Sequence, residues 1–210
     1  MSTHVMLDIE TLGRAPAGMI ISIGAVQFDE NGVSSKEFYK KLNWNDSAKH
    51  GNIDVNTVIW WMKQSDEARL EVISGTDSLS SSLREFQKWF PKKSQVWGKG
   101  PTFDISIMEN AFTQCNVACP WGYYYVRDVR TIIEVTKGFV DPNDYKCDAD
   151  VAHDALSDAI WQARYVSAML KFIKEKLSGD IPVTPFRIEK GVIKAKYGKL
   201  ASKWLHKKYK

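Results

Sequence analysis

The sequence predicts an α/β domain: a mixed five-stranded sheet with helices on both faces. Three observations predict it. Three β-rich runs follow one another at the N-terminus, two more short strand-like runs come later, and helical segments separate those and close the chain. Strands of this kind that lead into alternating helices and strands bury their apolar faces by packing helices on both sides of the sheet.

Val5 to Glu10 reads as a short buried strand and Met19 to Phe28 as a second β-rich run. Glu37 to Leu42 reads as a third, with Asn31-Gly32 marking the hairpin turn before it, so the three form an antiparallel meander. Asn43 to Ile53 is a polar loop. Val55 to Ser74 is helical, broken near Gln64-Ser65. Leu79, Leu83, Phe86 and Phe90 recur at helical spacing, Ser78 is placed as the N-cap, and Pro91 ends the helix. Gln95 to Gly98 is a short strand, a helix runs from about Phe103 to Gln114, and Tyr123 to Val126 is the fifth strand. Asp128 caps a helix over Val129 to Thr136. From Ala155 to Leu177, Ile160, Ala163, Val166, Leu170, Ile173 and Leu177 make one apolar stripe of a long helix. Gly179 to Pro185 reads as a linker, and the tail beyond it has only weak pattern. The expected division is a domain over residues 1–178 and a basic extension over residues 179–210.

Composition narrows the classes. A chain of 210 residues with 44% hydrophobic and 26% charged residues suits one globular domain with a short appendage. No run approaches about 18 uncharged apolar residues, so no membrane span is expected. Met1 to Asp8 lacks the pattern of a signal peptide. Three cysteines, Cys115, Cys119 and Cys147, suggest free thiols in a reducing, cytoplasmic setting. With His153 they match a zinc set only weakly, and structural cysteine is the plainer reading. Of the net charge of +4, residues 179–210 carry +7, leaving −3 for the body. A basic tail on an acidic body fits an enzyme that gathers carboxylates at a metal and meets phosphates elsewhere, and equally a solvated tail.

The chemistry lies in scattered acids. In Asp8-Ile9-Glu10 the strand period sends Asp8 and Glu10 to one side and Ile9 to the core. Two carboxylates side by side on an apolar strand repel, and a cation or a proton relieves them. A hard divalent ion suits such a pair. Asp104 follows a Gly/Pro turn, Trp97 to Phe103, at the start of a helix. Asp158 lies near the start of the long helix, and His153 five residues earlier falls in the preceding loop or first turn. Each acid also has a plain explanation, as a solvent-facing strand residue or a dipole-favoured residue of a first helical turn. Trp60 and Trp61 point about 100° apart on a helix, so at most one is expected in the core. Lys99, Arg127 and Arg130 are candidate phosphate contacts.

Taken together and in this order, Asp8-Ile9-Glu10-Thr11-Leu12-Gly13, Phe103-Asp104 and His153 with Asp158 resemble the three motifs of the DEDDh 3′–5′ exonucleases of the ribonuclease-H-like fold. Val58-Ile59-Trp60-Trp61 and Arg127-Asp128-Val129-Arg130-Thr131 are similar to a branch containing small phage and bacterial exonucleases. The resemblance covers about Val5 to Leu177 and leaves the tail out. It implies that Asp8, Glu10, Asp104 and Asp158 hold two divalent cations, Mg²⁺ or Mn²⁺, and that His153 is the general base. It further implies that Thr11, Leu12 and Phe103 contact the terminal nucleotide. The implied substrate is the 3′ end of single-stranded DNA or RNA, with DNA slightly favoured, and the implied product is a nucleoside 5′-monophosphate. A catalytically silent nucleic-acid-binding module and a ribonuclease-H-type endonuclease are the rival expectations.

Overall fold

A computed structural model describes residues 3–147, 153–178, 186–189 and 192–195. The chain forms two compact units, Met1–Ile173 and Lys174–Lys210. The first unit is built on the five-stranded sheet. β1 (His4–Thr11) pairs antiparallel with β2 (Ile20–Asp29), which pairs antiparallel with β3 (Gly32–Lys41). On its other edge β1 runs parallel to β4 (Gln95–Gly98), and β4 runs parallel to β5 (Val126–Asp128). The order β3-β2-β1-β4-β5 therefore puts β1 at the centre.

The two-residue period of β1 divides the interior. Val5, Leu7 and Ile9 point into one core with Leu83 and Phe86 of α4 (Leu79–Trp89) and Met108 and Phe112 of α5 (Asp104–Gln114). Met6 points into the opposite core, with Trp97, Val129 and Ile132 of α6 (Val129–Val135), and Ala159, Ala163 and Val166 of α7 (Ala155–Ser178). Asp8 and Glu10 continue the row begun by Met6, so the strand carries them to the α7 side. A third cluster joins Leu12, Met19 and Ile21 to Trp61 of α2 (Val55–Met62) and to Ala68 and Val72 of α3 (Asp66–Ile73).

Most helix starts match the local signals. Asp54, Ser65 and Asp128 accept hydrogen bonds from the backbone N–H groups of Thr57, Ala68 and Arg130. Ser78 occupies the N-cap position of α4 but makes no capping bond through its side chain. Instead Asp46 Oδ2 accepts the Leu79 N–H at 2.9 Å. Asp46 sits in the segment expected to be a plain loop, which holds the short helix α1 (Trp44–Ser47), capped by Asn43.

Two strands differ from expectation. β3 begins at Gly32, directly after the hairpin turn, rather than at Glu37. Its first half, with Ser34, Ser35, Lys36 and Glu37 exposed, is an edge strand with the polar character that blocks further pairing, so it lacks the alternation that reveals buried strands. Tyr123–Tyr125 form a 3₁₀ turn, and the strand starts at Val126. β4 offers only Val96, Trp97 and Gly98 for pairing, and these are taken by Val126, Arg127 and Asp128. The β-favouring tyrosines thus fall before the ladder begins.

In the α7 stripe, Ala163 and Val166 are fully buried whereas Leu177 is exposed. The expected linker, residues 179–185, lies outside the described residues. In the second unit Phe186–Glu189 (β6) and Val192–Ala195 (β7) form an antiparallel pair, a hairpin that the weak pattern of the tail did not reveal.

Candidate active site

The site lies where β1 meets the start of α7. Asp8 on β1 is paired with Gly24 on β2. A Cβ on Gly24 would fall 2.1–2.3 Å from the backbone of Ala155 and Leu156, so only glycine lets the first turn of α7 rest on the sheet. That close approach carries His153 and Asp158 over β1. One ligand atom each from Glu10, His153 and Asp158 lies within 4.8 Å of the others.

Asp104 enters from the other side, on the first residue of α5. It is 6% exposed, beside Gly98, and its carboxylate accepts the backbone N–H of Ile9. Asp8 accepts a hydrogen bond from Gln162 Nε2 at 2.8 Å. Gln162 stands one helical turn after Asp158 and is buried, with its Oε1 unpartnered by any described residue.

The four acids are crowded and poorly solvated. Burial, then repulsion from Asp104 and Asp158, pushes the Asp8 carboxyl well above the ordinary range. Burial and the neighbouring Asp8, Asp158 and Asp104 push Glu10 up to about 10. Burial pushes Asp104 up to about 7, against the bond from Ile9 and the nearby Arg130. Burial also raises Asp158, opposed by His153 and Lys99. The crowding that favours a proton among these carboxylates suits a divalent cation for the same reason: positive charge there would remove their repulsion. The donor set, hard oxygens with one imidazole nearby, fits Mg²⁺ or Mn²⁺.

His153 is held by aromatic rings. The Trp60 ring meets it edge to face at 4.8 Å, and Trp61 lies 6.3 Å away. Trp61 is buried, and its indole N–H donates to the Thr11 carbonyl at 2.8 Å, while Trp60 is 41% exposed. The pair therefore divides between core and cleft, as the helical spacing predicts. His153 itself adopts φ +63°, a conformation that costs a residue with a Cβ about 1 kcal/mol or more.

The remaining candidates are placed as follows. Thr11 is buried and its hydroxyl donates to the Gly13 carbonyl at 2.8 Å. Leu12 is buried under α2 and α3, and Phe103 is 38% exposed beside Asp104. Lys99 lies near Asp8 and Asp158, its ammonium 5.2 Å from the centre of the Trp161 ring. Arg130 is exposed, its guanidinium against Gly100. Arg127 is occupied internally, donating to the carbonyls of Tyr124 and Val126. Cys115 and Cys119 pack partly buried against the core on the α4–α5 side.

Sequence reasoning did not find Gln162 or Tyr39. Gln162 had a signal, its spacing of four residues from Asp158. Tyr39, which donates a hydrogen bond to Asp154, had none, because pairing across three strands cannot be read without their register.

The same architecture occurs in known nucleases. The SSB/Exonuclease I structure in complex with the inhibitor CFAM superposes with a TM-score of 0.55 at 17% identity, covering 83% of this chain and 42% of that one. This chain thus spans about two fifths of the length of that Exonuclease I chain. The nuclease domain of 3′hExo, a DEDDh family member bound to rAMP, gives 0.53 at 11% identity, covering 81% of this chain and 92% of that one. The fold is therefore that of the ribonuclease-H-like DEDDh exonucleases. Exodeoxyribonuclease of Enterobacteria phage T4 is 24% identical over 188 residues, 73% of this chain and 82% of that protein. Residues 3–170 match the family described as the 3′–5′ exoribonuclease Rv2179c-like domain, and the chain belongs to that family of 3′–5′ exonucleases.

Proposed function

We propose that the protein removes nucleotides one at a time from the 3′ end of single-stranded nucleic acid, releasing nucleoside 5′-monophosphates. The observation that carries this reading is the meeting of Glu10, His153 and Asp158 within 4.8 Å, from elements more than a hundred residues apart. Asp8, Glu10, Asp104 and Asp158 would hold two divalent cations, Mg²⁺ or Mn²⁺, which would supply positive charge to the reacting phosphate group.

The chain's own residues do the rest. His153 accepts the proton of the attacking water, a task suited to an imidazole at neutral pH. Water oxygen bonds to phosphorus as the bond from phosphorus to the 3′-oxygen breaks, and that oxygen leaves with a proton from solvent. Gln162 fixes the orientation of the Asp8 carboxylate. Trp60 offers its exposed surface to a base while its T-shaped contact steadies His153, a use of stacking that tolerates any base. Phe103 packs against the terminal nucleoside from the Asp104 side, and the backbone around Thr11 and Leu12 lines the opposite side. Lys99 and Arg130 attract the phosphates.

Single-stranded DNA is the proposed preferred substrate, on the likeness to the T4 exodeoxyribonuclease over most of that protein's length. RNA is the second reading, favoured by the description of the family. Matched DNA and RNA oligonucleotides labelled at the 5′ end test polarity and sugar preference together. The expected result is a ladder shortened from the 3′ end with Mn²⁺, absent in Asp8→Ala. Cleavage of a circular single strand would overturn the exonuclease reading, and binding without any turnover would leave a silent binding module.

A further inference from the structure

Asp8, Gly24 and Tyr39 are register partners across β1, β2 and β3, so they stand in one row on one face of the sheet. The middle position has no side chain, and the chain entering α7 is laid into that gap against the backbone of Gly24. On one side of the gap Asp8 faces the acid cluster. On the other, the Tyr39 hydroxyl donates to Asp154 Oδ1. The second oxygen of the same carboxylate, Oδ2, accepts the Ser157 N–H at 2.8 Å and caps α7. Asp154 thus ties the helix start to itself with one oxygen and to the sheet with the other. His153 is the adjoining residue, and it carries the left-handed backbone conformation that an L residue keeps only when its surroundings impose it.

We propose that Tyr39 is a positioning residue for His153: by holding Asp154, its hydroxyl fixes the turn that aims the imidazole into the acid cluster. The functional consequence rests on the reading of His153 as general base. Removing only the hydroxyl leaves the Tyr39 ring in its packing and leaves the Asp154–Ser157 cap in place. The helix therefore stays formed while the turn before it loses its tether. A general base displaced by about an ångström loses turnover by one to two orders of magnitude. Substrate and cation binding, carried by other groups, stay as they were.

The experiment is a double-mutant cycle with Tyr39→Phe and His153→Ala, measured as kcat and KM on a 5′-labelled single strand with Mn²⁺. Alongside it, the ring-proton resonances of ¹³C-labelled histidine are followed by NMR, with His153 assigned from the His153→Ala spectrum. In the wild type those resonances are expected to be displaced by the rings of Trp60 and Trp61, whose centroids lie 4.8 and 6.3 Å from the imidazole. Tyr39→Phe is expected to lower kcat roughly tenfold with KM within about twofold, and to move the His153 resonances towards free-histidine positions. In the His153→Ala background the same substitution is expected to change kcat less than about twofold. An equal loss in both backgrounds overturns the proposal, since Tyr39 then acts on something other than His153. Unchanged kcat with unchanged resonances overturns it too. If His153→Ala keeps wild-type turnover, the general-base reading fails instead, and the resonances alone decide whether Tyr39 holds the turn.

Discussion

Asp104 shows what a single residue does at this site. Its carboxyl prefers the proton up to about pH 7 in the folded protein, against an ordinary value of 3.8. Its contribution to stability is therefore complete below the ordinary value and is lost as pH rises through about 7, where the folded state must give up a proton it binds more tightly than the unfolded chain does. Asparagine carries no charge at any pH and can still accept the Ile9 N–H. In EDTA at pH 8, Asp104→Asn is expected to be more stable than wild type by about 2 kcal/mol, roughly half of what the shift alone gives, because four acids share the field. Near pH 4 the two proteins should unfold together. Thermal melts at both pH values check this. Mn²⁺ at pH 8 should raise the wild-type Tm more than that of the variant, whose nuclease activity is expected to be lost.

At the scale of elements, the start of α4 depends on a residue from another helix. Asp46 of α1 accepts the Leu79 N–H, which Ser78 leaves unmet. Asp46→Ala is expected to cost about 1 kcal/mol, and Asp46→Asn much less, since an amide oxygen still accepts the bond. Urea unfolding measures both. α4 in turn brings Phe86 into the core, where it is fully buried and rings of Phe38, Phe90, Phe112 and Trp121 surround it at centroid distances of 5.0–6.3 Å. Phe86→Ala is expected to cost about 3–5 kcal/mol. That core lies on the face of β1 opposite Asp8 and Glu10. The loss should therefore appear as a lower Tm, with kcat little changed at temperatures where the protein remains folded.

The whole molecule carries an uneven charge, +7 over residues 179–210 against −3 for the rest. We propose that the exonuclease domain, residues 1–178, is supplemented by this extension as an electrostatic contact for the nucleic acid backbone. Deleting residues 179–210 is expected to weaken binding of a single strand and flatten the dependence of log K on log salt, since fewer counterions are released. An unchanged slope in a fluorescence anisotropy titration would show that the extension does not meet the substrate. Among the described residues no helix is long and apolar enough to cross a membrane.

Features that follow from local periodicity and residue chemistry were legible in the amino-acid order. Alternation along β1 put Asp8 and Glu10 on one face and Ile9 on the other. Glycine, proline and capping residues located the break between α2 and α3, the end of α4, and the starts of α5 and α6. The order of the acids, with His153 five residues before Asp158, was enough to reveal the family. Tertiary structure alone decided how these pieces meet. The bonds from Tyr39 to Asp154 and from Gln162 to Asp8 span 115 and 154 residues, and the seating of Ala155 on Gly24 depends on strand register. Such contacts leave no trace in a window of a helix or strand, because each partner obeys its own local pattern. Only the packing of α7 on the sheet brings the two patterns into one place.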